Sequence, residues 1–196
     1  FVTILEKFIA EHPDFSYQGA RAVLAVTGYD GIFGYRTNPE VRETQGSEYY
    51  AQQLSGAQKI VDALKAAGYD LACYSYEHIS YGDSAVELIN GDLGLWTEQV
   101  TPILGDVDIL VYPYGDDINS SISSTYDGDK YNALYDAGFR IFVSMDNYVE
   151  ASAQVTESYF RQTRRWITGA KMAYASETFE DLFNPAAVLN NQRGDV

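Results

Sequence analysis

Gly68-Tyr69-Asp70-Leu71-Ala72-Cys73-Tyr74-Ser75 closes one helix and opens one strand, and that junction sets the fold class. Gly68 supplies the stop for a helix read from Ser47 to about Ala67. Leu54, Ala57, Ile60, Val61 and Leu64 fall on the inward face of that helix. Tyr69 to Ser75 then reads as a strand. Working outward, Ala20 to Val26 is a short run rich in Val and Ala, the pattern of a buried strand. Asp108 to Tyr112 is another, closed by Pro113, and Phe139 to Met145 is a fourth. Helices fall between them. Ser84 to Leu104 carries Gly91 and Gly94, where a break is possible. Tyr131 to Ala137 ends at Gly138. Strands separated by helices of crossover length predict an α/β fold around a parallel sheet.

The flanks read less sharply. Ile4, Leu5, Phe8 and Ile9 share one face of a helix beginning at the first residues, with Pro13 just past its end. Val155 to Trp166 is mixed. Ser176 to Phe183 reads as a capped terminal helix with Glu177 in its first turn. Ligands of parallel sheets gather at the carboxyl ends of the strands. Three unusual loops leave such ends, after Val26, after Ser75 and after Tyr112. The first, Thr27 to Ser47, is long and contains Gly28, Gly31 and Gly34.

Composition narrows the partners. The chain has 196 residues, enough for one domain with a sizeable core. Its formal net charge of −15 argues against a nucleic-acid partner, which needs a basic surface to release counterions. The acids are scattered and form no long run, as a solubility role requires. Seventeen tyrosines offer apolar faces with polar tips, suited to sugar stacking and equally to ordinary packing. A single cysteine, Cys73, excludes an internal disulfide framework. No window has the length and hydropathy of a membrane span, so no membrane insertion is expected.

Several segments, in order, resemble the polysaccharide deacetylases, the NodB-homology or carbohydrate-esterase-4-like group. They are Glu11-His12-Pro13-Asp14-Phe15-Ser16-Tyr17, Thr27-Gly28-Tyr29-Asp30-Gly31 with Gly34-Tyr35-Arg36-Thr37, Ala72 to His78, Tyr112-Pro113-Tyr114-Gly115, and Phe160-Arg161-Gln162-Thr163-Arg164-Arg165. The resemblance spans about Phe8 to Phe183. It implies a distorted, incomplete (β/α) barrel covering residues 1–196, its first strand lying upstream of Phe1. It also implies metal-dependent hydrolysis of N- or O-acetyl groups on an acetylated poly- or oligosaccharide, in carbohydrate metabolism outside the cytoplasm or at the cell envelope. In the family a divalent metal, usually zinc, is held by an Asp and two His, and a backbone amide beside the Pro-Tyr aromatic helps bind the oxyanion. The metal would lower the pKa of its water and polarise the acetyl carbonyl.

Carried onto this chain, the His-x-x-x-His pair becomes Tyr74-x-x-x-His78. His78 matches the second metal histidine, and Tyr74 stands where the first would be. A phenol is protonated at neutral pH and is a poor ligand. Zinc is therefore expected to be absent or weakly bound, and the family reaction impaired. Tyr114 and Gly115 match the Pro-Tyr motif, with Val111 where many members carry Arg. The residues expected to line a ligand site are Tyr74, His78, Tyr114, Arg36, Asp116 and Tyr29. Each has a second reading. His78 can bond a backbone carbonyl, the tyrosines can pack, Arg36 can pin its loop, and Asp116 with Asp117 can form a turn. Arg161, Arg164 and Arg165 are read as salt-bridge or capping groups, and His12 as a capping or packing residue. Three roles remain open: an active deacetylase, a catalytically silent glycan-binding relative, and a structural cell-surface module.

Overall fold

A computed structural model describes residues 2–146 and 152–189; Phe1, where the first helix was expected to begin, lies outside them. The chain runs through α1 (Val2–Glu11), β1 (Val23–Val26), α2 (Pro39–Gln45), α3 (Ser47–Ala66), β2 (Asp70–Cys73) and α4 (Val86–Leu95). A π turn (Trp96–Val100) joins α4 to α5 (Thr101–Leu104). Then come β3 (Ile109–Val111), α6 (Gly128–Asp136), β4 (Ile141–Asp146), β5 (Ala153–Val155), β6 (Phe160–Arg165), α7 (Gly169–Tyr174) and α8 (Pro185–Val188). The six strands form one sheet in the order β1-β2-β3-β4-β6-β5. All neighbours are parallel except β5 against β6.

The α/β class and the parallel sheet are as the periodicity predicts. Among the described residues the sheet is open, with β1 and β5 at its edges, and does not close into a barrel. Side chains alternate between faces along each strand. One row across the sheet, Cys73, Leu110, Phe142 and Arg161, is buried, and Leu71 shares its face. The opposite row is less covered. Val23 and Ala25 are exposed, and Ile109, Val111, Ile141 and Val143 are half-buried.

The buried face is where the helices pack. Ala57, Val61 and Leu64 of α3 are buried at helical spacing, whereas Ile60 lies on the outward flank at 38% exposure. Ile89, Leu93, Trp96, Val100, Ile103 and Leu104 form one stripe from α4 through α5. Gly91 and Gly94 stay helical, so the irregularity falls later, ahead of Pro102. There Thr101 N–H bonds to Trp96 O, five residues back. Widening the helix is one way to take in a proline that cannot donate and would crowd the preceding turn.

Three further elements differ from expectation. The Thr27–Ser47 connection contains α2, a polar helix with no buried residue. The mixed stretch resolves into β5 and β6. Ser176–Phe179 is a 3₁₀ turn rather than the start of an α-helix.

At the amino-terminal side, α1 turns Leu5 and Ile9 inward and leaves Ile4 and Phe8 exposed. The Phe8 and His12 rings lie 4.5 Å apart at a tilt of 37°, so His12 packs on Phe8. Glu6 ties α1 to the sheet by accepting from Arg21 Nε at 2.7 Å and from Tyr69 OH at 2.8 Å. The Arg21 bond, then the Tyr69 bond, hold the Glu6 carboxyl below its usual range. A lowered carboxyl stabilises the fold above its unfolded-state pKa, and that contribution is lost as pH falls through the folded value. Glu6→Gln is therefore expected to lower the melting temperature at pH 7, with the gap to the unaltered protein narrowing toward pH 3. Paired thermal melts at the two pH values check this.

Candidate ligand-binding site at the strand ends

The loop after β2 is shaped by one buried carboxylate. Asp92 on α4 is only 3% exposed. One of its oxygens accepts from Ser75 Oγ at 3.1 Å and Glu77 N–H at 2.8 Å. The other accepts from Tyr76 N–H at 2.8 Å and Tyr81 OH at 2.6 Å. Ser75 Oγ in turn accepts from Ile79 N–H. This network holds a loop that is costly to form, because Ser75 and His78 both take positive φ, 61° and 58°. Non-glycine residues in that region cost about 1–2 kcal/mol each and persist where their surroundings over-determine them. Burial, foremost, raises the Tyr81 phenol, so it remains a donor.

His78 emerges from this loop with its ring between two tyrosines. Its centroid is 5.0 Å from that of Tyr74 and 4.7 Å from that of Tyr114. Tyr114 comes from the next strand end, in the turn Pro113-Tyr114-Gly115, and also has positive φ, 59°. Gly115 is required there. A β-carbon on it would lie 2.1 Å from Met145 Cβ at the end of β4, and its own φ is +75°. Tyr114 is 61% exposed, while Tyr74 and His78 are half-buried. Three positive-φ residues, Ser75, His78 and Tyr114, thus build one exposed aromatic platform.

The other expected site residues are engaged in contacts of their own. Asp116 is engaged by the Ser80 hydroxyl, and its backbone carbonyl accepts from Gly82 N–H at 3.2 Å. It clasps the β2 and β3 loops together. Arg36 donates to Asp30 Oδ1 at 3.0 Å and to Asp30 O at 3.1 Å on the surface, which pins its own loop. Tyr29 is exposed, and its amide bonds to Tyr76 O, as does that of Gly28. The Asn38 side chain donates to the carbonyls of Gly28 and Tyr29 and to Tyr76 OH. The first loop is therefore fastened to the second through Tyr76, with no ring contact between Tyr29 and the platform among the described residues.

Beneath the third loop lies a buried ion pair. Arg161 Nε donates to Asp117 Oδ2 at 2.8 Å, and both side chains are at most 7% exposed. Arg161 also donates to the carbonyls of Asn119, Ser121 and Ser124. Asp117 accepts further from Tyr126 OH at 2.7 Å. Arg165 pairs with Asp181 at 2.7 Å. Both arginines are structural, as read from sequence. Asp92 and Ser75 were not singled out there. The signal available was an acid at position 92 inside the apolar stripe of Ile89, Leu93 and Trp96.

The platform offers π faces, an imidazole and two phenols, and it suits stacking and hydrogen bonding. It does not fit zinc by itself. The groups packed on His78 are tyrosine rings, and no three His, Cys, Asp or Glu converge among the described residues. A catalytic zinc site takes three such protein ligands.

Searches of family models and of curated proteins find no match. The chain is similar in structure to a Mycobacterium smegmatis protein assigned as a polysaccharide deacetylase, at 10% identity and a TM-score of 0.40. The match covers 77% of this chain and 60% of that one.

Proposed function

We propose that the strand-end platform binds acetylated poly- or oligosaccharide, as a deacetylase-like domain whose hydrolytic activity is impaired. The observation that carries this reading is the exposed ring of Tyr114 set against His78. An exposed aromatic face stacks on a sugar ring, and the adjacent imidazole offers a hydrogen-bonding edge. The lineage of the platform, its place outside the cytoplasm and a barrel-type ancestry for the open sheet belong to the same proposal, and rest on the sequence resemblance. Zinc, if it binds, would have only His78 among the platform's ring nitrogens.

The test is binding and turnover together. Acetylated chito-oligosaccharides and acetylated xylo-oligosaccharides are titrated into the protein, and acetate release is followed with and without added zinc. Binding is expected, and Tyr114→Ala is expected to weaken it about tenfold, the scale of losing one stacked ring and its buried area. Acetate is expected at no more than the uncatalysed rate. Rapid zinc-dependent release would replace this reading with an active deacetylase. Absence of binding to any acetylated glycan would leave a structural module.

A further inference from the structure

Three arginines lie within five positions on β6, and the structure treats them differently. Arg161 has Asp117 and Arg165 has Asp181. Arg164 has no carboxylate among the described residues. Its one hydrogen bond runs from Nη2 to Tyr112 O at a long 3.4 Å. Its Nε is sealed from solvent and has no acceptor. From sequence alone Arg164 groups with the structural pair, and the geometry separates it. A guanidinium presents five donors in a fixed fork and cannot shed its charge. Leaving it half-buried and unpaired is unfavourable, the more so in a chain with 28 acidic residues to draw on.

The sealed Nε lies out of a ligand's reach, whereas Nη1 has no partner among the described residues and is not sealed, so it is the donor a ligand can meet. Arg164 is paired in register with Met145, whose β-carbon abuts Gly115. Its fork rests on the carbonyl of Tyr112, two residues before Tyr114. It projects from the face of the sheet opposite Arg161, the less covered one. The guanidinium therefore adjoins the turn that carries the platform's exposed ring.

We infer that Arg164 is a ligand-binding residue that pairs with a carboxylate on the glycan, so that the ligand class is a uronate-bearing acetylated oligosaccharide. This rests on the glycan reading of the platform and adds the charge of the ligand. Paired carboxylates meet guanidinium forks with two parallel bonds, stronger than neutral contacts. The overall negative charge of the protein slows approach of such a ligand but does not cancel a short-range pair at this site.

The experiment uses an acetylated oligogalacturonate and its carboxyl-reduced neutral counterpart, each titrated into the full chain and into Arg164→Gln, Arg164→Lys and Tyr114→Ala. The unaltered protein is expected to prefer the acidic oligomer by about tenfold, the scale of one charge-assisted contact. Arg164→Gln is expected to abolish that preference while keeping the neutral affinity and a melting temperature no lower than the original. Arg164→Lys is expected to keep part of it. A merely structural arginine would lower the melting temperature and leave the acid-to-neutral ratio unchanged, and that result overturns the inference. Neutral binding that depends on Tyr114 with no acid preference removes the role of Arg164 and keeps the platform. Acid binding that depends on Arg164 but ignores Tyr114 does the reverse. Binding of neither oligomer overturns both.

Discussion

Asp92→Ala is expected to lower the unfolding free energy by about 3–5 kcal/mol, the scale of leaving several buried donors without their shared charged acceptor. Two backbone amides and two hydroxyls converge on that carboxylate, and alanine leaves all four without it. Each buried donor so orphaned costs about 1–3 kcal/mol before any relaxation. The loop they hold contains the strained Ser75 and His78, so the platform is expected to loosen along with the fold. Asp92→Asn keeps the shape but turns one acceptor into a donor facing other donors, and it is expected to fall between the two. Urea unfolding gives the loss, and the ring signals of His78 report the loop. A loss under about 1 kcal/mol, the ordinary scale of one hydrogen bond, would mean the network does not organise the loop.

The second large effect is expected at Asp117. Asp117→Ala leaves the Arg161 guanidinium buried without its carboxylate and is expected to cost about 3–5 kcal/mol. It also takes an acceptor from Tyr126 OH. Replacing a buried ion pair by apolar residues is often neutral elsewhere. Here Arg161 also serves three carbonyls of the Asn119–Ser124 loop, so a double Asp117→Leu, Arg161→Met variant is expected to stay well below the original stability. Full recovery in the double variant, measured by the same unfolding curves, would show that those carbonyl bonds contribute nothing.

These hubs explain which parts of the fold could be read beforehand. β2 and β3 were legible because Leu71–Cys73 and Ile109–Val111 are compact apolar runs placed after Gly68 and Gly105 stops. α3 was legible from its spacing and from Gly68. β6 was not, because its sequence, Phe-Arg-Gln-Thr-Arg-Arg, hides a half-buried strand behind charges that Asp117 and Asp181 meet only across the fold. α2 escaped because a helix whose one apolar side chain after Pro39 is Val41 has no periodic apolar face to detect. The open sheet was not legible at all, since strand pairing at an edge leaves no local pattern.

The site divided along similar lines. Tyr74, His78 and Tyr114 could be placed together because strand-end loops of parallel neighbours converge. Arg36 and Arg164 could not be sorted, because a cation's role depends on whether a carboxylate meets it. Asp30 meets Arg36 one loop turn away. Among the described residues none meets Arg164.

On the proposed function, His78 and Tyr114 contact a glycan without needing a metal. The chain has two histidines, His12 and His78, so their ring proton signals are separable by a single His78→Gln control. Titrating an acetylated uronate-bearing oligosaccharide in the presence of a metal chelator, the account predicts that the His78 ring signals move saturably while those of His12 stay fixed. Unmoved His78 signals under chelation, with movement appearing only after zinc is added, would contradict it.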